Sequence, residues 1–409
     1  MNIKVKQSVQ DLAYFGGSKL FDEPKSTSSL VQPDFANFLQ YSKQFFSRQH
    51  YTNNGVLVKL LEKRLAEFHE AEFCITFCSG FWALALVMTS LAIKGRQEIV
   101  MPSFTYRRMA DIAAWACLKS RFCEVDPQTL AVSRDTVSVC INDQTALILA
   151  VHPIVNCCDI EGIVQLGMEH EIPVVFDSVE SMYESSNVGK VGKFGNAECF
   201  SMHASKLLNG FEGGYVTTND SKLAHKLELL RTFGFEGQDN CVISGGLNAK
   251  LNEVHAAMAL ANLDVIEQVV ADNKMRYMQY RKQLSKIPSI RLLEFDEENQ
   301  TSYKNIVVEL LESWPLDRNK TVALLNSENI LARAYYSPPL HQKPMSYPFI
   351  PATLNNTDQL SSRFMLLPCG YFVTVDDING VVDFLAFVYV KKDEIKKNIE
   401  RKESGKYAS

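Results

Sequence analysis

PVVFDSVESMYESSNVGKVGKFGNAECFSMHASKLLNGFEGGYV, residues 173–216, is the stretch whose reading decides the fold. Its apolar run Val174-Val175-Phe176 is long enough for a buried strand, and the run ends on the carboxylate of Asp177. A second short run, Glu198 to Met202, leads to Ser205 and Lys206, and a third strand-like segment extends from Gly213 to Thr218. A carboxylate and a lysine therefore stand at the exits of neighbouring buried strands. In open α/β sheets ligands bind outside the carboxyl ends of the strands, so Asp177 and Lys206 are expected to face one ligand.

Pyridoxal 5'-phosphate is a cofactor that needs such a pair. A lysine amine holds it covalently, and a buried carboxylate keeps its ring nitrogen protonated through a charge-assisted hydrogen bond. Lys206 would be the first group and Asp177 the second. The phosphate needs hydroxyl and backbone N–H donors, and Ser201, five residues before the lysine, is placed to supply one.

The segments Phe200-Ser-Met-His-Ala-Ser-Lys206, Glu212-Gly-Gly-Tyr-Val216, Val100-Met-Pro-Ser-Phe-Thr-Tyr106 and Gly246-Leu-Asn-Ala-Lys-Leu-Asn-Glu253-Val-His-Ala-Ala257 resemble, in this order of blocks, the DegT/DnrJ/EryC1/StrS family. The resemblance extends from about residue 11 to about residue 390 and implies an α/β protein of the aspartate-aminotransferase-like fold (fold type I), with a mostly parallel central sheet and a smaller α+β C-terminal domain. It implies a pyridoxal-phosphate-dependent aminotransferase that moves an amino group from an amino acid, L-glutamate by resemblance, to a nucleotide-linked keto sugar. Within the family the chain looks most similar to C-4 aminotransferases of nucleotide 4-keto-6-deoxyhexoses. Amination at C-3, a C-3 dehydratase and a non-catalytic binding protein of the same fold stay open as alternatives. The dehydratases usually carry histidine where this chain has Lys206.

Further site residues follow from the resemblance. Cys74 to Cys78 reads as a strand, and Ser79-Gly80 opens an apolar helix from Phe81 to Ile93, where backbone N–H groups could meet the phosphate. The family usually shows Gly-Thr-Ala/Ser here. In this chain Gly80-Phe81-Trp82 keeps the backbone donors and lacks the hydroxyl, and close helix–strand packing is the competing reading. Tyr106 stands where the family's aromatic stacks on the cofactor ring. Arg107 and Arg108 follow, either to pair with a diphosphate or carboxylate or to form a solvated turn. Glu180 replaces a neutral or basic residue that usually lies beside the cofactor. Asn248 matches an asparagine that crosses to the partner's phosphate, which implies a homodimer; otherwise it is a helix-entry residue. Asn53, in the turn Tyr51 to Gly55, and His341, in Ser337-Pro-Pro-Leu-His341, are candidate substrate contacts, or merely a helix entry and a loop.

The 409 residues suggest an N-terminal arm (1–50), a large cofactor-binding domain (51–272), a small domain (273–390) and a charged tail (391–409) that reads as a frayed helix. A single long helix is expected over Asn252 to Val270. Apolar content of 46% and a net charge of −5 give no basic face for nucleic acid. The ten cysteines lack the paired spacing of a zinc site, so no metal is expected and the thiols read as reduced, which suits the cytoplasm. No stretch reads as a signal peptide or a membrane span.

Overall fold

A computed structural model describes residues 3–237 and 240–404. Seven strands come first in the main sheet: β1 Phe73–Phe77, β2 Glu98–Pro102, β3 Lys119–Cys123, β4 Thr145–Val151, β5 Val174–Asp177, β6 Ala197–Ser201 and β7 Gly214–Thr218. A second, antiparallel sheet contains β8 Ile290–Leu292, β9 Ile306–Leu310, β10 Arg333–Ala334 and, after an excursion, β12 Phe364–Leu367. The excursion carries β11, Phe349–Ile350, back to the edge of the first sheet, where it pairs parallel with β3. The first sheet runs β11-β3-β2-β4-β5-β6-β7-β1, and only β7 is antiparallel to its neighbours.

Period-two burial explains why these strands lie at the centre. Val174 and Phe176 join one apolar cluster, whereas Val175 joins the other. The same alternation runs through β4, with Ile148 and Ala150 on one side and Leu147 and Leu149 on the other. Both faces are thus covered, as a parallel sheet requires. The helix Gly80–Leu91 is apolar nearly all round because it packs directly on β6 and β7. A short link, residues 202–213, joins β6 to β7. It holds no helix to carry the chain across the sheet, and β7 returns antiparallel with Lys206 held in the connection.

The expected helix over Asn252 to Val270 is instead two, Glu253–Leu263 and Ile266–Leu284, bent by 60°. At the corner Val265 leaves helical geometry (φ −115°, ψ 13°), and the neighbouring Asp264 is held by Arg64 at 2.6 Å. The second of these helices runs unbroken past residue 272 towards the second sheet. The tail does not fray over its first turns. Lys392–Glu403 is helical, with Ile395 and Ile399 buried. No single helix among the described residues is long and apolar enough to cross a membrane.

The N-terminal arm is fastened to the second sheet's side of the molecule. Lys25–Ser26 pairs parallel with Ile330–Leu331, and the buried Lys25 ammonium meets Asp377 at 2.8 Å. From there the arm passes the opening of the first sheet, where the Ser29 amide donates to the Ser205 carbonyl at 3.3 Å.

Candidate active site

A cleft of about 530 Å³ opens between the carboxyl ends of β5 and β6, the start of the helix Gly80–Leu91 and the second sheet. Of the residues singled out in the sequence, Gly80, Phe81, Tyr106, Arg107, Asp177, Glu180, Ser201 and Lys206 line it. Asp177 and Lys206 come together because β5 and β6 are adjacent and parallel, with Asp177 paired to Cys199 in the register. Both chains therefore leave the sheet on one side.

The two carboxylates of this floor differ in their surroundings. Asp177 is buried and makes no ion pair among the described residues; its Oδ1 accepts from the Val179 N–H at 3.1 Å. Burial pushes its carboxyl up to about 7, against the pull of the Val179 amide and the charge of Lys206. Glu180 is held between two ammonium groups. Its Oε1 accepts from Lys206 Nζ, and its Oε2 accepts from Lys304 Nζ at 2.6 Å. Burial alone would raise Glu180, yet the charges of Lys206 and Lys304 outweigh it and hold the group well below the usual carboxylate range.

At the other end of the floor the backbone is brought unusually close. Ser79 caps the helix by accepting from the Trp82 N–H at 3.4 Å. A Cβ on Gly80 would lie 3.2 Å from the Phe200 carbonyl and from Ser201 Cβ, and one on Gly214 would lie 2.4 Å from the Gly80 nitrogen. Two glycines thus allow the helix N-terminus to sit beside the ends of β6 and β7, and the cleft receives its dipole. The close-packing role expected as an alternative for Gly80 and its place in the cleft are found together.

Four expected residues lie elsewhere on this chain's surface or in its scaffold. Arg108 is exposed and bonded to Asp111 at 2.8 Å, a solvated turn, whereas its neighbour Arg107 lines the cleft. Asn53 does not line the cleft; it and Asn54 take left-handed conformations (φ 59° and 60°) in the turn before the helix Val56–His69. That helix is capped by Glu253, whose carboxylate accepts from the Leu57 and Val58 amides, so the turn serves a helix start. His341 is fixed by Ser103 at 2.7 Å and Asp358 at 3.1 Å and is likewise not part of the cleft lining. Asn248 is exposed, and its side-chain oxygen accepts from Lys250.

The second sheet and the arm add residues that sequence reasoning missed. Lys304, Asn305, Arg333 and Tyr336 come from the second sheet's side, and Thr27 and Ser28 from the arm. Lys304 and Asn305 precede the apolar strand β9, whereas Asp177 ends β5, so the strand-exit pattern that marked Asp177 did not mark them.

The sequence model of the DegT/DnrJ/EryC1/StrS aminotransferase family matches residues 34–386. The chain belongs to that family. It is 26% identical over 361 residues to a dTDP-4-amino-4,6-dideoxy-D-glucose transaminase of Shigella dysenteriae, covering 86% of this chain and 95% of the relative. It is 26% identical over 304 residues to a GDP-perosamine synthase of Vibrio cholerae, covering 72% and 80%. Among solved structures it matches DesI, determined in the presence of its TDP-sugar product, with a TM-score of 0.89 and 29% identity over 96% of this chain and 100% of that one. Helicobacter pylori PseC shares the fold, with a TM-score of 0.82 at 20% identity over 90% and 100%.

The chain is thus a pyridoxal-phosphate-dependent aminotransferase of fold type I. The site fits that cofactor on its own chemistry. Asp177 is a buried carboxyl with no ion pair among the described residues, which would suit a protonated ring nitrogen, and Gly80, Phe81 and Ser201, which line the same cleft, would offer donors to a phosphate. When bound, the cofactor supplies an electron sink that lets a proton leave the carbon next to an amine. The chain's part is to orient and to move that proton. Lys206, which lines the cleft, would carry it, and a lysine does so only while neutral. The second sheet's side and the arm supply the rest of the cleft lining.

Proposed function

We propose that this aminotransferase transfers an amino group from an amino acid, L-glutamate, to the C-4 ketone of a nucleotide-linked 4-keto-6-deoxyhexose. The observation that carries the reading is the combination of a lysine at position 206 with an arginine, Arg107, that lines the same cleft and has no carboxylate partner among the described residues. Lysine supports amination over the dehydratase reading, and a guanidinium suits a diphosphate. The names of the relatives, a 4-aminated dideoxyglucose transaminase among them, support position C-4. Position C-3 is the second reading; a relative at 27% identity from Pseudomonas aeruginosa is named for a 3-oxo sugar acid. The setting we infer is deoxyamino-sugar supply for glycoconjugates such as lipopolysaccharide O-antigen, in the cytoplasm.

We also propose a homodimer in which Asn248 serves the partner's site. Its exposure, and its position outside the cleft of its own chain, support that reading. The test is incubation of the cofactor-loaded enzyme with glutamate and a panel of dTDP-, UDP- and GDP-linked 4-keto and 3-keto sugars, read by product mass and NMR. An amine at C-4 of one nucleotide sugar is expected. Amination at C-3 alone, or loss of the C-3 hydroxyl, would replace the proposal by its alternatives.

A further inference from the structure

Lys304 is a buried charged group of the cleft to which neither the sequence motifs nor the proton transfer assigns a role. It is 6% exposed at the side chain and stands just before β9, on the wall opposite Lys206. Its ammonium meets Glu180 Oε2 at 2.6 Å, while Glu180 Oε1 accepts from Lys206, and Asn305 Nδ2 reaches Oε2 at 3.5 Å. One carboxylate therefore bridges two lysines from two different sheets. A purely structural ion pair would need one cation, and burying a second next to it is unfavourable. The second lysine falls on the triad that contains the Lys206 amine.

We propose that Lys304 is a positioning residue that acts through Glu180 on Lys206. It fixes the Glu180 carboxyl so that Oε1 faces the Lys206 amine, and its charge offsets that carboxylate. Glu180 and Lys304 carry opposite charges, so their fields at the Lys206 amine oppose one another, and the Asp177 carboxyl on the floor adds its own charge to both variants alike. A carboxylate placed beside a lysine favours the ammonium form and a second ammonium opposes it, so loss of Glu180 and loss of Lys304 act in opposite directions.

The other charged and titratable groups around Nζ are few. From the floor comes Asp177, and from the second sheet's wall Tyr336 and Arg333. His203 and Glu212 belong to the lysine's own link and are paired with each other at 3.8 Å, and Tyr106 and Arg107 lie on the loop after β2. None of these is bonded to Glu180, whose partners are Lys206, Lys304 and Asn305. Removing either end of the bridge should therefore act on Lys206 with opposite sign.

The experiment measures acetylation of Lys206 by acetic anhydride across pH in the full-length, cofactor-free chain, quantified by peptide mass spectrometry. It reads the free amine directly and depends on no substrate. Lys304→Met should move the midpoint of labelling up by about one pH unit, Glu180→Gln should move it down by a similar amount, and Lys304→Arg should restore it. The cofactor-loaded enzymes should show the same order in the acid limb of their pH–rate profiles. Shifts of one sign in both variants, or midpoints unchanged while folding is intact by circular dichroism, would overturn the proposal. Should Lys304→Met fail to fold, the near-isosteric Glu180→Gln decides alone, and no downward shift in it overturns the proposal equally.

Discussion

On the first-sheet wall of the cleft Asp177 is buried without a cation of its own, whereas three residues further on Glu180 lies between Lys206 and a lysine of the opposite wall. The first carboxyl is pushed up to about 7 by burial, and the second is held well down by two ammonium groups. The difference separates two tasks. A wall built from strand ends supplies a fixed floor with one unmet electrostatic demand, which a protonated ring nitrogen of the cofactor would meet. The wall that arrives from the second sheet supplies charge that adjusts what the floor already holds.

The comparison can be broken at several points. Lys206→Ala removes the amine from the floor, and turnover should fall by more than about 10³-fold while the circular dichroism spectrum is unchanged; retained turnover would remove Lys206 from the chemistry. Asp177→Asn leaves the ring nitrogen of the cofactor without its anion. Breaking a buried pair costs about 3–5 kcal/mol, so cofactor affinity should fall by roughly 10²–10³-fold in an equilibrium titration. The adjacent arginines separate more gently. Arg107→Ala should raise KM for the nucleotide sugar by about tenfold, as expected for one charge-assisted contact, and Arg108→Ala should leave it unchanged in steady-state kinetics.

The smallest effects are in the stability of the cofactor-free protein against pH. Asp177 has a folded value raised above the unfolded ~3.9, so its contribution is present below about pH 4 and lost as pH rises through about 7. Glu180 is lowered from the unfolded ~4.3, so its contribution is present above that value and lost as pH falls towards the folded one. Asp177→Asn should therefore flatten the decline of Tm between about pH 4 and 7, and Glu180→Gln should flatten the decline below about pH 4. Thermal melts across that range check both slopes, and a common effect in the two variants would mean that the two carboxyls do not differ as described.

The floor was legible in the sequence because its residues follow strands directly. Asp177 ends β5, Ser201 ends β6 and Lys206 sits in the short link after it, so strand exits and site residues coincide. The resemblance to known blocks added Gly80, Phe81 and Tyr106 by the same logic. The opposite wall was not legible, since Lys304, Arg333 and Tyr336 reach the cleft only through the packing of one sheet against another, which no local pattern encodes. His341 and Asn53 lie outside the cleft lining of their own chain: the first is bonded to Ser103 and Asp358, and the second stands in the turn before the helix Val56–His69. The corner at Asp264 and Val265 was hidden as well, because it depends on Arg64, two hundred residues upstream in the chain, rather than on a helix-breaking residue.

The measurement that bears most directly on the central claim is the visible absorption spectrum of the purified chain with pyridoxal phosphate, before and after an amino donor. A cofactor band that forms with the wild type, is absent in Lys206→Ala, is bleached by glutamate and is restored by a nucleotide-linked keto sugar is the expected result. A band that no amino donor alters would contradict aminotransfer, and the absence of any band in the wild type would contradict the pairing of Asp177 and Lys206 on one cofactor.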